Sequence, residues 1–159
     1  MQDEFKCPVE VVNDADMQGL GIVSGLGFEM VITLGTGLGS AMFLNGILLP
    51  HIELSQHPFM TNLIYDRYIG KKALAKEGEL KWNTRIQKVL LVLKTVFNYD
   101  HLYIGGGNSR KINFPLEKNI TLVSNEDGIK GGAKLWQADR KLEFKIVEEK
   151  QVIPIGESF

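Results

Sequence analysis

The sequence predicts an α/β or α+β domain built on a mixed sheet with flanking helices. Three observations carry that expectation. Short β-branched and apolar runs alternate with long helical stretches along the chain. An Asn45-Gly46 pair separates two of the apolar runs, and it suits the positive φ angles of a type I′ hairpin turn. Glycines cluster at 19–37, 105–107 and 128–132, as expected of tight loops facing one site. This order of elements fits neither a helical bundle nor an all-β sandwich.

The elements follow in chain order. Pro8–Val12 reads as a short strand ending at Asn13 and Asp14. Ala15–Leu20 then starts a helix with Asn13 or Asp14 at its cap, and residues 19–27 form a connection. Val31–Leu34 reads as a strand, Gly35-Thr36-Gly37-Leu38-Gly39 interrupts it, and Ser40–Leu44 resumes it. Ile47–Leu49 returns after the hairpin and stops at Pro50. Residues 31–49 are therefore expected to form a three-stranded meander with a glycine-rich bend at its first corner.

Asn62–Glu77 reads as a helix stopped by Gly78. Thr84–Asn98 carries the clearest helical period, with Ile86, Val89, Leu90, Leu93, Val96 and Phe97 on one face and Asn83 as its N-cap. His101–Ile104 is a buried-strand pattern that runs into Gly105-Gly106-Gly107-Asn108, and Thr121–Ser124 is a further strand. Asp127 and Gly128 open a short helix through Trp136. The segment from Arg140 to Phe159 is charged, with Leu142, Phe144 and Ile146 alternating, and reads as a strand, an added edge or a loose extension.

Composition limits the function classes. The chain has 159 residues, 44% hydrophobic and 23% charged, enough for one domain with a real core. A formal net charge of −1 gives no electrostatic reason to expect nucleic acid or an anionic membrane as partner. Cys7 is the only cysteine, so no intramolecular disulfide can form and a cysteine-based zinc site is not expected. No apolar run approaches the roughly 20 residues that span a bilayer. Met1–Lys6 lacks the apolar core of a signal peptide. A cytoplasmic protein is the expectation.

Four segments could carry chemistry. Gly35-Thr36-Gly37-Leu38-Gly39 can turn backbone N–H groups and the Thr36 hydroxyl toward a phosphate, although a ligand-free turn explains the pattern equally well. It is not a Walker A loop, because the lysine after the last glycine is missing, and no helix follows it as in a Rossmann fingerprint. Gly105, Gly106 and Gly107 exceed what one turn requires and would let a flat group lie on bare backbone. Asp14, at a strand end, could take a proton from an attacking hydroxyl, while Asn-Asp is locally more often a helix cap. Glu53, Gln56 and His57 offer hydrogen bonds to sugar hydroxyls, but alone they read as a polar loop after Pro50. His51 and His101 read as surface or strand-end histidines, and Tyr65, Tyr68, Trp82 and Trp136 as core.

Taken together and in order, these segments resemble the ROK (repressor, open reading frame, kinase) sugar kinases of the actin-like ATPase superfamily. Val12-Asn13-Asp14-Ala15 resembles their catalytic Asn-Asp-Ala segment, and Thr33 to Gly39 their second phosphate loop. Asn45-Gly46 followed by Glu53 resembles the hairpin into their sugar-binding glutamate. Ile104 to Asn108 resembles their adenosine-side glycine motif, and Gly128 to Ala133 the helix start that closes the site. The likeness runs from about Phe5 to Trp136 and is strongest to the glucokinase and polyphosphate-glucokinase-like branch, which lacks the zinc-binding cysteines.

The resemblance implies an actin-like (ribonuclease H-like) C-terminal lobe over residues 1–138, with 139–159 as an extension. It implies phosphoryl transfer to a hexose hydroxyl from ATP or polyphosphate with Mg²⁺, and no zinc. Asp14 would be the base, and Asn13, Glu53, Gln56 and His57 would hold the sugar. Gly35, Thr36, Gly37 and Gly39 would cradle phosphate, and Gly105, Gly106, Gly107 and Asn108 would line the nucleotide site. The family's N-terminal lobe, with its own phosphate loop, has no counterpart in these residues, so a separate lobe or a second copy is the implied partner.

The family also has Glu-x-Gly-His in the sugar loop, where this chain has Glu53-Leu54-Ser55-Gln56 with His57 one step late. The alternative expectation is therefore a non-catalytic sugar- or nucleotide-binding or dimerisation module derived from such a kinase. A repressor of the same family fits less well, because the chain has no helix-turn-helix segment and no basic patch.

Overall fold

The computed structural model describes residues 13–124 and 126. The sequence-predicted strand at 8–12, the helix at 127–136 with its Gly128–Ala133 motif, Cys7 and the 140–159 segment lie outside the described residues. In chain order the elements are α1 (Asp14–Ile22), β1 (Phe28–Leu34), β2 (Leu38–Leu44), β3 (Ile47–Leu48), β4 (Pro58–Met60), β5 (Leu63–Ile64), α2 (Tyr65–Ile69), α3 (Lys71–Phe97), β6 (His101–Gly105) and β7 (Ile120–Leu122). Single 3-10 turns occupy Leu54–Gln56 and Ser109–Lys111.

The main sheet has the order β3-β2-β1-β6-β7. The expected meander is present, with β1–β2 and β2–β3 antiparallel. Asn45 and Gly46 both have positive φ, 50° and 80°, as the type I′ turn requires. β1–β6 and β6–β7 are parallel, so the sheet is mixed. β1 is central, and its alternation divides the core. Met30, Ile32 and Leu34 join a cluster with Trp82, Leu93 and Ile104, whereas Val31 joins Ala15, Leu20, Phe43 and Tyr103. Helices α2 and α3 thus cover one face and α1 the other. Gly19 lets α1 sit close, since a Cβ there would lie 2.4 Å from the Phe43 ring.

The helical region differs from the sequence expectation. Residues 62–77 are not one helix. Asn62 is left-handed (φ 60°), β5 follows, and α2 is broken from α3 at Gly70. Gly70 is crowded there: a Cβ would lie 2.4 Å from the Asp66 carbonyl oxygen and 2.7 Å from that of Thr36. Gly78 does interrupt the helical path after Glu77, as predicted. It takes a non-helical φ of 76° and ψ of 164°, and the helical path resumes through Phe97.

Asn83 is an interior residue of α3, not its cap. It is buried, its side-chain amide donates to the Lys111 and Glu79 carbonyls, and its side-chain oxygen accepts from the Asn113 N–H. Ile86, Val89, Leu90 and Leu93 are buried as predicted, but Val96 faces outward at 67% exposure. Trp82 is fully buried, and its indole N–H donates to the Ile69 carbonyl at 2.7 Å, which ties α3 to α2.

Candidate functional site

The parallel strands β1 and β6 end together, with Thr33 opposite Gly105. On the other side of β1, Thr33 is opposite Gly39. Two of the predicted segments therefore meet in one row at the carboxyl end of the parallel strands, where open α/β sheets bind ligands.

The 35–37 loop is fixed from three directions. Its own Gly35 N–H donates to Gly37 O at 3.0 Å, which leaves the Thr36 and Gly37 N–H groups and the Thr36 hydroxyl as its donors. Asn108 donates from its side chain to Gly35 O at 2.9 Å, and its backbone N–H donates to Leu34 O at 2.9 Å. The Lys71 N–H donates to Thr36 O at 3.1 Å, and Asp66 Oδ1 accepts from the Leu38 N–H at 2.7 Å.

The glycines separate by what surrounds them. A Cβ on Gly37 would strike the Asp66 carboxylate at 2.3 Å, and one on Gly39 the Thr33 hydroxyl at 2.3 Å. A Cβ on Gly105 would meet Gln18 Oε1 at 2.3 Å. Gly106 has φ +84° and lies against the Leu34 backbone, 2.5 Å from its oxygen to where a Cβ would stand. Only Gly35 and Gly107 of these six present backbone with nothing within 4 Å of such a Cβ. Gly106 and Gly107 also line a cleft of ≈ 160 Å³ at the ends of β6 and β7, with Ser109, Arg110, Leu122 and Val123 around it. That is below the ~300 Å³ at which pockets enclose a small molecule, so the cleft can take one end of a larger ligand.

Asn13 caps α1, its side-chain oxygen accepting from the Ala15 N–H at 2.9 Å. Asp14 Oδ1 accepts from the same N–H at 2.8 Å, and the Asp14 side chain is exposed beside Gly39. The cap reading and the site reading of Asn13-Asp14 are therefore compatible: capping leaves the Asp14 side chain exposed.

Glu53 reaches the same helix indirectly. His51 lies between α1 and the loop, with Nδ1 3.5 Å from Asp16 Oδ1 and Nε2 3.5 Å from Glu53 Oε2. The Ser55 hydroxyl donates to Glu53 Oε1 and receives the Gln56 side-chain N–H at 3.0 Å. The Ser55 hydrogen bond, with help from His51, holds the Glu53 carboxyl below its ordinary range. Burial pushes the Asp16 carboxyl up, against the opposing pull of His51. His57 stands apart from this group and tilts toward Tyr65, ring centroids 6.2 Å apart.

No family model matches the chain. The polyphosphate glucokinase of Mycobacterium tuberculosis (strain CDC 1551 / Oshkosh) is 30% identical over 145 residues, 82% of this chain and 55% of that protein. The polyphosphate glucokinase of Mycobacterium leprae (strain TN) is also 30% identical, over 82% of this chain and 45% of its own length. Among solved structures, the inorganic polyphosphate/ATP-glucomannokinase of Arthrobacter sp. strain KM superposes with a TM-score of 0.73 at 28% identity, covering 86% of this chain and 60% of that one.

The chain resembles the polyphosphate glucokinases in sequence and shares the fold of the ROK-family sugar kinases.

The ROK-family glucokinase of Streptomyces griseus, solved with glucose and AMPPNP, shares the fold at a TM-score of 0.63 and 16% identity, over 86% of this chain and 71% of that one. The chain spans about half the length of the curated relatives it matches.

Asp16, His51, Ser55, Asp66 and the Lys71 backbone hold the candidate segments in place, and sequence reading did not single them out. Asp66 meets Leu38 across 28 residues, and no local pattern encodes that pairing. His51 had a weak signal in its position two residues before Glu53, where a strand end becomes a polar loop.

Proposed function

We propose that the chain forms the C-terminal lobe of a hexose kinase, transferring a phosphoryl group from ATP or polyphosphate to a hexose hydroxyl when an N-terminal lobe completes the cleft. One observation carries this reading: Thr33, Gly39 and Gly105 lie in one row, with Asp14 at Gly39 and the Thr36 loop at the row's open end. An acidic side chain, a phosphate-facing loop and bare backbone for a donor thus surround a single point.

In this reading Asn13 and Glu53 hold the sugar hydroxyls, and Asp14 accepts the proton of the attacking one. The hydroxyl oxygen bonds to the terminal phosphorus as the bond to the bridging oxygen breaks. The electron pair of that bond leaves with the shortened donor. Thr36 and the N–H groups around it face the transferred phosphoryl oxygens, and Gly107 with the adjoining cleft takes the far end of the donor. Positioning and charge stabilisation supply nearly all of such catalysis, which is why both lobes are required.

Among the described residues no three His, Cys, Asp or Glu side chains gather as a metal cage. Mg²⁺ carried on the donor phosphates needs only one or two protein carboxylates, and the exposed Asp14 is the acidic group at hand. Bound there, Mg²⁺ would neutralise developing phosphate charge.

Among the described residues no helix is long and apolar enough to cross a membrane. An ATP- or polyphosphate-dependent sugar kinase acts in the cytoplasm, and that location belongs to the proposal.

The second reading is a non-catalytic hexose- or nucleotide-binding module. It is favoured by the sugar loop, where Gln56 braces Ser55 instead of reaching outward. Glucose-dependent phosphoryl transfer separates the two. The chain is assayed with ATP-Mg²⁺ and with polyphosphate, alone and with an added N-terminal lobe, beside an Asp14→Ala control. Turnover that disappears in the control supports the kinase. Folded protein that binds glucose or nucleotide without turnover in any combination supports the module.

A further inference from the structure

The Asp16–His51–Glu53 contact joins the helix carrying Asp14 to the loop carrying the sugar-facing carboxylate. We infer that His51 is a positioning residue that aims Glu53 at the acceptor hydroxyls by tethering it to α1. This rests on the hexose-kinase reading and goes beyond it, since His51 itself touches no substrate.

The geometry supports a tether. The Asp16 side chain is 9% exposed and rigidly held within α1, and the Glu53 side chain is 56% exposed, on a loop without strand partners of its own. A mobile carboxylate loses rotamer freedom when it binds a sugar, and prior fixing removes that cost. Both Glu53 oxygens are already directed, Oε1 by Ser55 and Oε2 by His51. The Ser40 hydroxyl donates to Ile52 O at 3.0 Å, which anchors the intervening residue to β2. The two ring nitrogens of His51 point to opposite sides, Nδ1 toward Asp16 and Nε2 toward Glu53, so one ring contacts both carboxylates at once. Asp16 Oδ1 is buried and has no hydrogen-bond partner within bonding geometry, which makes His51 its nearest compensating group.

The test compares wild type, His51→Ala, His51→Gln and Glu53→Gln in the full chain completed by an added N-terminal lobe, with glucose as the probe. Calorimetric titration gives affinity, steady-state kinetics gives KM and kcat, and thermal melting shows that each variant is folded. His51→Ala is expected to raise the glucose Kd and KM about tenfold, with a much smaller effect on kcat, as for loss of one positioning contact. His51→Gln, which retains an N–H for Glu53, should recover part of the affinity. If both His51 variants bind glucose like wild type while Glu53→Gln does not, the His51 assignment is wrong and the kinase reading stands. If wild type neither binds nor phosphorylates glucose, the kinase reading fails and takes this assignment with it. Should His51→Ala not fold, His51→Gln decides: wild-type affinity overturns the role, and an intermediate loss supports it.

Discussion

Asn108 donates its side-chain N–H to the carbonyl of Gly35 at 2.9 Å, joining two loops 73 residues apart. The bond holds the phosphate-loop candidate against the adenosine-side glycine motif. Its backbone N–H also reaches Leu34 O, so Asn108 is a double clamp on the end of β1.

Asn108→Ala removes one of these bonds and leaves the Gly35 carbonyl without it. The expected loss is about 1 kcal/mol, a fall in melting temperature of roughly 2–8 °C. If the loop binds the donor, KM for ATP or polyphosphate should rise more than KM for the sugar. A melting shift with both KM values unchanged would make Asn108 purely structural.

The glycine motif gives a sharper contrast. Gly106→Ala forces a side chain into a left-handed backbone and onto the Leu34 backbone 2.5 Å away, so neither atom can yield cheaply. We expect it to cost about 2–4 kcal/mol or to abolish folding, read as the urea midpoint. Gly107→Ala meets nothing within 4 Å and should melt like wild type. It should nonetheless weaken donor binding, because a methyl group then occupies the surface on which the ligand lies. Unchanged donor affinity in Gly107→Ala would remove Gly107 from the site.

How legible this was depends on whether the determining contacts are local. The Asn45-Gly46 turn, the strands around it and the buried face of α3 follow from neighbours in sequence, and each was readable. Gly78 was readable as a helix break, whereas Gly70 and Asn83 were misread because their reasons are distant. Gly70 is set by the Thr36 carbonyl, and Asn83 by Lys111 and Asn113 on a loop that packs across α3. The glycine triplet was read as ligand surface, but Gly105 and Gly106 answer to Gln18 and Leu34, and only Gly107 is open. The positions of Asn13-Asp14 and the Thr36 loop were readable as motifs. Their supports, Asp66 and His51, were not, since they act through tertiary contacts.

Glu29 makes a pH prediction. It is fully buried at the start of β1 and accepts hydrogen bonds from the Ser24 N–H and hydroxyl, the Gly25 and Leu26 N–H groups and the Tyr103 hydroxyl. Burial alone would push its carboxyl up, but these bonds, led by Ser24, outweigh it and hold it below the ordinary 4.5. A lowered folded value means that the stabilisation is complete above the unfolded value. It is lost as pH falls through the folded one. Stability from urea unfolding should therefore drop below about pH 4.5 in wild type, and less steeply in Glu29→Gln. At pH 7, Glu29→Ala should cost about 3 kcal/mol, because several donors lose their partner. Equal acid dependence in wild type and Glu29→Gln would show that other carboxylates govern the transition.

Gly37 and Asp66 supply a test of the loop's buttress that does not depend on any ligand. Asp66 holds the Leu38 N–H, and its carboxylate fills the space a Cβ on Gly37 would need, 2.3 Å from that position. Gly37→Ala alone must displace the carboxylate and break the bond to Leu38. Asp66→Ala alone loses the bond but leaves room. Once Asp66 is truncated, the added methyl group has somewhere to go, so the double variant should be less destabilised than the sum of the two singles. A coupling of about 1 kcal/mol or more in a double-mutant cycle by urea unfolding is the expected result. Additivity within about 0.5 kcal/mol would mean that the two residues do not share that space in solution. The same cycle repeated on donor KM tells whether the buttress also sets the loop for phosphate, since coupling in KM requires the loop to touch the donor.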